Sequence, residues 1–302
     1  LKELERLRIP VHCVTGTSMG AIVGGFYASG MSPEEIEKTL LSVDWADSFS
    51  DRPPRRYLPY RRKQDDRRYL SGFEVGISKD RAHLASGMTS GLRFLAILNE
   101  AVPSAARTVE FDALPIPFRC VATDLETGEE VVLERGMLSM AIRASASFPA
   151  VLSPVELEGR LLVDGGISNN LPVDLARTLG ADIVIAVDVG TPPVTRSALT
   201  SPLAVTSQVV SILSQKRVDE QAARADILIR PQLEGHSSMD FTRLAPLVEV
   251  GAAATRQASS ALLAWALNES DYAAYRAAVE AKREGSPRVD FIAFEGTSPE
   301  DE

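Results

Sequence analysis

Val14-Thr15-Gly16-Thr17-Ser18-Met19-Gly20-Ala21 is the stretch on which the reading of this chain turns. Residues 10–14 read as a short buried strand, and residues 18–29 read as a helix rich in small side chains. A G-x-S-x-G pattern therefore falls on a strand-to-helix turn. Such a turn is sharp and strained, and it stands the serine hydroxyl clear of the sheet edge. Glycine at 16 and 20 removes side chains that would collide there. The helix N-terminus behind Ser18 aims N–H groups at developing negative charge, and the Met19 N–H is the natural oxyanion donor. Gly24 and Gly25 continue the small face and let the helix lie close on the sheet. The bland alternative is a glycine-rich turn with a capping serine.

A serine nucleophile needs a base. Leu161-Leu162-Val163-Asp164-Gly165-Gly166 offers one: an apolar strand ends in an acid, and two glycines make a tight turn. An acid at a strand end is well placed to face a site above the sheet. A His-mediated triad needs an imidazole instead, and the chain has three His. His12 lies on the strand before the turn and reads as a core residue. The downstream candidates are His83 and His236; His236, in Gly235-His236-Ser237-Ser238, reads as a surface loop residue that would complete a triad with Ser18 and either Asp164 or Asp188.

Outward from these stretches, strand-like runs alternate with helical patterns. Ser32-Pro33-Glu34-Glu35 carries a capping serine, a proline at the first helical position and acids in the first turn. Strands over 118–124 and 130–134 flank Thr127-Gly128, and short strands over 155–157 and 161–163 flank Gly159. Helices are expected over 91–102, 137–146, 172–179, 203–225 and 244–268, and residues 44–86 read as irregular. The apolar run 183–189 suits a central strand covered on both faces, and 227–230 reads as another strand. The alternation predicts a layered α/β fold around a mostly parallel sheet. A boundary near Gly285-Ser286-Pro287 divides the chain into a domain over 1–285 and a linker or new module over 286–302.

Composition agrees with a folded enzyme-sized domain. The 302 residues are 45% hydrophobic and 24% charged, which excludes general disorder, collagen and coiled coil. Lys and Arg number 32 against 41 Asp and Glu, so a nucleic-acid partner is not expected of a chain at net −9. Two Cys exclude a disulfide scaffold and a Cys-based zinc site, and Cys13 and Cys120 read as buried free thiols. No apolar run approaches the roughly 18 residues of a membrane-spanning helix. Leu1, Leu4 and Leu7 recur at helical spacing, so the sequence is expected to start inside a helix and both ends to be cut.

The two motifs together resemble those of the patatin-like phospholipase family, known for a Ser–Asp dyad carried by G-x-S-x-G and D-G-G/A with no catalytic His. Ala144-Ser145-Ala146-Ser147-Phe148-Pro149-Ala150 is similar to the family's A-S-x-[SA]-x-P segment. Asp164-Gly165-Gly166-Ile167-Ser168-Asn169-Asn170-Leu171-Pro172 is similar to its D-G-G-x-x-x-N-x-P stretch. The resemblance runs to about residue 235. It implies a three-layer α/β/α fold with a nucleophile elbow, Ser18 as nucleophile and Asp164 as base. It also implies an elbow of Gly16, Met19 and Gly20, a dyad loop of Gly165 and Gly166, and no metal or organic cofactor. The implied activity is a phospholipase A or lysophospholipase acting through an acyl-enzyme on lipid esters at a membrane surface. The family's glycine-rich oxyanion loop, usually with an Arg, is expected upstream of the first helix here.

Further expectations follow. An aspartate of ordinary pKa near 3.9 is a weak base, so Asp164 is expected to be partly desolvated. Ile22, Phe26, Leu92, Phe94, Phe148 and Leu152 either line an acyl channel or build core. The basic run Arg52, Arg55, Arg56, Arg61, Arg62, Lys63, Arg67 and Arg68 either meets anionic head groups or is a solvated loop. Val205, Val209, Val210, Ile212 and Leu213 either pack within the chain or form a homodimer face. Residues 287–296 resemble the opening strand of a POTRA-type module. Residues 59–67 resemble a segment of patatin-like passengers of type V secretion proteins. The expected location is therefore extracellular or outer-membrane-associated, with the cytoplasm as the alternative. The competing functions are a Ser-His-Asp carboxylesterase of α/β-hydrolase type and a non-catalytic lipid-binding module.

Overall fold

The structure is a computed structural model that describes residues 1–49, 55–61, 63, 75–78, 81–84, 89–102, 110–149, 151–190, 195–233 and 244–283. In chain order its strands are β1 (Val14–Thr17), β2 (Val75–Ser78), β3 (Arg81–Leu84), β4 (Phe118–Asp124), β5 (Glu130–Leu133), β6 (Val155–Leu157), β7 (Arg160–Asp164), β8 (Ile185–Val187) and β9 (Ile227–Ile229). The helices are α1 (Lys2–Arg6), α2 (Met19–Ala28), α3 (Pro33–Ser42), α4 (Trp45–Ser48), α5 (Leu92–Ala101), α6 (Leu138–Ser145), α7 (Val173–Thr178), α8 (Pro202–Ala222), α9 (Leu244–Gln257), α10 (Ser259–Leu262) and α11 (Glu269–Ala281).

The central sheet is organised on β4. Strand β5 pairs with one edge of it, antiparallel, over Cys120 to Thr123. Strand β1 pairs in parallel over Phe118 to Val121, and β7 pairs antiparallel over Ala122 to Asp124. Both overlap the stretch that β5 occupies, so β1 and β7 must share the opposite edge of β4, end to end. Their C-terminal ends point at each other: Thr17 lies opposite Val121 and Asp164 lies opposite Ala122. Register alone thus brings the residue after β1 beside the last residue of β7.

The sheet is mixed, where a mostly parallel one was expected. Among the described residues the parallel pairs are β1 with β4 and β8 with β9. Two of the antiparallel pairs, β4 with β5 and β6 with β7, are joined by short turns, whereas β7 reaches β4 only after α6 and β6. Glu158 and Gly159 both take left-handed backbone angles (φ 51° and 76°), the requirement of a two-residue hairpin turn between β6 and β7.

Period-two alternation along β1 defines the helical layers. Val14 and Gly16 face α2: Val14 packs on the main core, and a methyl at Gly24 of α2 would meet the Val14 side chain at 2.9 Å. Thr15 and Thr17 face the other way, donating hydroxyls to the carbonyls of Pro172 (2.9 Å) and Asn169 (2.8 Å). On the first face, α2, α5 and α6 bury Ile22, Phe26, Phe94, Leu98, Leu138 and Ile142. On the second, α7 and α8 bury Val173, Ala176, Val218 and Ala222 against Val184 and Ala186. The result is a three-layer α/β/α fold.

Several local expectations need correction. Strand β1 starts only at Val14, because the Tyr275 hydroxyl of α11 both accepts the Val11 N–H (3.1 Å) and donates to the Val11 carbonyl (2.8 Å), doing the work of a strand partner. His12 is exposed rather than core, edge-on to Tyr275 with ring centroids 5.8 Å apart. The run 183–189 yields a three-residue β8 paired only with β9 among the described residues, and Val187 and Val189 are exposed. The expected helix over 244–268 breaks at Ala258 into α9, α10 and a 3-10 turn. Helix α11, capped by Asn268, was not anticipated. The boundary near 285–287 and the segment 286–302 lie outside the described residues. Cys13 and Cys120 are free, and Cys120 is fully buried. Among the described residues no helix is long and apolar enough to cross a membrane.

Candidate active site

The elbow is strained as its motif requires. Ser18 sits at φ 54°, ψ −117°, a conformation that L-residues avoid and that costs about 1–3 kcal/mol. Its carbonyl accepts the N–H groups of Ala21 (2.9 Å) and Ile22 (3.1 Å), which starts α2 immediately behind it. Its own N–H donates to the Ser145 hydroxyl at 3.1 Å. Met19 and Gly20 form the first turn, whose amides lack carbonyls one turn back. Gly16 is demanded by space, since a methyl there would lie 2.3 Å from the Gly20 carbonyl oxygen. Gly20 is not: nothing lies within 4 Å of the position a methyl would take. The expected collision at Gly20 is therefore corrected, because this residue is exposed on the outer side of the turn. Gly25 does allow the close approach expected of it, a methyl there meeting Ile142 of α6 at 2.7 Å.

Asp164 closes the other half of the junction. The Ser18 hydroxyl donates to its Oδ2 at 2.6 Å, and the Gly166 N–H donates to its Oδ1 at 2.8 Å. The Asp164 N–H is held by the Ser147 carbonyl at 3.0 Å, and its carbonyl accepts the Thr123 hydroxyl at 3.0 Å. The side chain is buried, and among the described residues no Lys or Arg pairs with it. Desolvation pushes its pKa up from the ordinary carboxylate value to about 6, against the pull of the hydrogen bonds from Ser18 and Gly166. Gly165 is required here, as a methyl would fall 2.1 Å from the Val121 carbonyl oxygen. At Gly166 a methyl would be tight, 3.0 Å from both the Asp164 and Asn170 side-chain oxygens.

This contact places a carboxylate directly on the serine hydroxyl, with no imidazole between them. His12 is exposed beside Tyr275 of α11, and His236 lies outside the described residues. Asp188 is engaged elsewhere, accepting from Arg230 Nε at 2.9 Å and from the Gly190 N–H at 3.0 Å. The candidate acyl-channel residues divide. Ile22, Phe26, Phe94 and Leu152 are buried core, Phe148 packs partly buried against it, and Leu92 is exposed. Of the basic run, Arg56 lies over the Tyr57 ring at 4.8 Å and Arg61 is exposed, while Arg52, Arg62, Arg67 and Arg68 lie outside the described residues. Along the apolar stripe of α8, Val205, Val209, Ile212 and Leu213 are exposed and Val210 is half-buried.

The sequence reading quoted Ser145 and Ser147 without giving them a role. Both are fully buried and both bind a backbone group of the junction. Their signal was small polar residues spaced along an otherwise apolar helix end.

The family model described as patatin-like phospholipase matches residues 1–177, which contain both Ser18 and Asp164. An uncharacterised NTE family protein of Mycobacterium tuberculosis is 36% identical over 174 residues, covering 58% of this chain and 39% of the relative. A patatin-like phospholipase domain-containing protein of Caenorhabditis elegans is 29% identical over 295 residues, covering 87% of this chain and 19% of the relative. The human patatin-like phospholipase domain-containing protein 6 is 31% identical over 192 residues, covering 63% of this chain and 12% of the relative. The chain thus spans well under half the length of these relatives. With more than half of its residues matched by the family model, the chain belongs to the patatin-like phospholipase family.

Proposed function

We propose that this chain is a serine lipid acyl hydrolase of the phospholipase A or lysophospholipase type, with Ser18 as nucleophile and Asp164 as its base. The observation that carries the reading is the 2.6 Å contact from Ser18 Oγ to a buried carboxylate that no described cation neutralises. Asp164 takes the Ser18 proton as Oγ attacks the ester carbonyl. The Met19 N–H, at the positive end of α2, faces the charge that develops on the carbonyl oxygen. The alcohol leaves with the proton from Asp164, and an acyl-enzyme remains on Ser18. Water then attacks that ester with Asp164 again as base, the bond from the acyl carbon to Ser18 Oγ breaks, the fatty acid leaves, and Ser18 Oγ regains the proton from Asp164. A carboxylate whose pKa is pushed up to about 6 holds a proton better than an ordinary aspartate, yet is ionised at neutral pH.

Family membership supports acyl lipids as the substrate class; their presentation at a membrane surface is part of this proposal. The decisive experiment measures fatty-acid release from mixed phospholipid vesicles by mass spectrometry, beside a Ser18→Ala control. Release that vanishes in the control is the expected result. No release from the unaltered chain, with saturable vesicle binding, would overturn it in favour of a binding module. We further propose that the chain acts as an exported passenger, outside the cell or at the outer membrane, on the strength of residues 59–67 and 287–296. Recovery of the native protein solely from the cytoplasm sinks that placement.

A further inference from the structure

Ser18 and Asp164 are 146 positions apart in sequence, yet one three-residue segment at the end of α6 binds a backbone N–H of each. Ser145 Oγ accepts the Ser18 N–H at 3.1 Å, and the Ser147 carbonyl accepts the Asp164 N–H at 3.0 Å. The Ser145 hydroxyl proton is also spent, donated to the Val121 carbonyl at 2.6 Å. Val121 is the residue of β4 opposite Thr17, where the ends of β1 and β7 meet. Ser147 is fixed in turn: its hydroxyl donates to the Arg143 carbonyl at 2.7 Å and accepts from the buried Arg143 guanidinium, which also donates to the carbonyls of Ser90 and Ser153, each at 3.0 Å.

We propose that Ser145 is a positioning residue, whose hydroxyl holds Ser18 in its strained conformation and so sets the distance from Ser18 Oγ to Asp164 Oδ2. A serine hydroxyl offers one donor and two acceptor lone pairs. Here the donor anchors it to the sheet, and a lone pair takes the elbow's N–H. A strained residue persists only where its surroundings over-determine it. Removal of Oγ frees the Ser18 N–H and lets the backbone relax toward an ordinary conformation. That relaxation swings Ser18 Oγ off the carboxylate, while Asp164 stays tied to the Ser147 carbonyl. This inference rests on the dyad reading of Ser18 and Asp164. The same hydroxyl would be merely structural if it served only to dock α6 on β4, and the two roles give different kinetics.

The test uses a fluorophosphonate, which needs no knowledge of the natural lipid. Ser18 Oγ forms a bond to phosphorus, fluoride leaves, and the serine proton passes to Asp164. Both the rate constant and the end-point stoichiometry are read on the full chain. Ser145→Ala is expected to reach one label per chain, as the unaltered protein does, with a rate constant about 10- to 100-fold lower, the scale of a small misplacement of reacting atoms. Ser139→Ala is the matched control. Ser139 is buried on the same helix, but its hydroxyl has no partner among the described residues, so rate and stoichiometry are expected to stay unchanged. Ser145→Cys keeps a weaker donor and acceptor in place and is expected to fall between, which covers an alanine variant that fails to fold. Labelling of Ser145→Ala or Ser145→Cys at the unaltered rate overturns the inference. So does a lower signal that comes wholly from lower stoichiometry, the mark of misfolded chains. An unaltered protein that does not label overturns the dyad reading, and this inference with it.

Discussion

Two aspartates at strand ends in this molecule are driven in opposite directions. Asp164 ends β7 and Asp226 stands just before β9. Each accepts a backbone N–H, from Gly166 and Val184 respectively. Asp226 also bonds the Arg177 guanidinium and is about a third exposed, and the Val184 hydrogen bond and then Arg177 hold its carboxyl below the usual range. Asp164 meets a serine hydroxyl instead, is buried, and is pushed up to about 6. A strand-end carboxylate becomes a structural anion when a cation is supplied. It becomes a candidate base when the cation is withheld and water is excluded.

The largest effects should fall on the Ser18–Asp164 pair. Ser18→Ala and Asp164→Asn are each expected to lower ester hydrolysis by about 10³-fold or more, and the double variant by no more than the worse single one, since residues acting as a unit are non-additive. Stability should move the other way. The raised pKa means that protonated Asp164 favours the fold, a contribution fully present below the unfolded value near 4 and lost as pH rises through about 6. Asp164→Asn removes that loss, so it should be more stable than the unaltered chain by about 1–3 kcal/mol at pH 8, and nearly equal to it at pH 3.5. Urea midpoints at the two pH values check this, and a destabilised Asn variant at pH 8 breaks the contrast with Asp226.

The glycines sharpen the same comparison sterically. Gly165→Ala drives a methyl into the Val121 carbonyl and is expected to cost about 3 kcal/mol along with most activity. Gly20→Ala, pointing into open space, should leave the melting temperature unchanged. Thermal unfolding of the pair measures the difference. Next in size is the pH dependence of kcat/KM. It should fall about tenfold per unit below pH 6 and be flat above, because the base must be ionised. A limb centred near the ordinary aspartate value would mean that Asp164 is solvated during catalysis.

Much of this was legible in the sequence because it was written in residue types at short range. Gly16, Ser18, Asp164 and Gly165 each stand where a motif needs them. The helix start with Ser32 as cap and Pro33 at the first position likewise formed as its local pattern indicated. What was misread depended on partners far along the chain. The place of β7 follows from which part of β4 remains free beside β1 and β5. The late start of β1 follows from Tyr275, 264 positions away from Val11. An apolar run such as 183–189 looks the same whether a strand is central or flanked on one side, and only the pairing distinguishes them. At Gly20 the error was generic, since a shared motif was taken as a steric need that this turn does not have.

The smallest expected effect belongs to Asp226, and it tests the contrast from the other side. A lowered pKa contributes stability that is present above the unfolded value near 4 and is lost as pH falls through the folded one. Asp226→Asn keeps an oxygen for the Val184 N–H but gives up the ion pair with Arg177. Both partners are about one-third exposed, so solvent screens the pair and the loss should be about 0.5–1 kcal/mol at pH 7, shrinking toward pH 3. Catalysis should be untouched, because Asp226 anchors the β8–β9 pair and not the junction. If Asp226→Asn lowered kcat as well, the two strand ends would be coupled through α8, which packs beside the dyad loop and ends just before Asp226. Charge supplied at one strand end and withheld at the other would then be parts of a single design rather than independent local solutions.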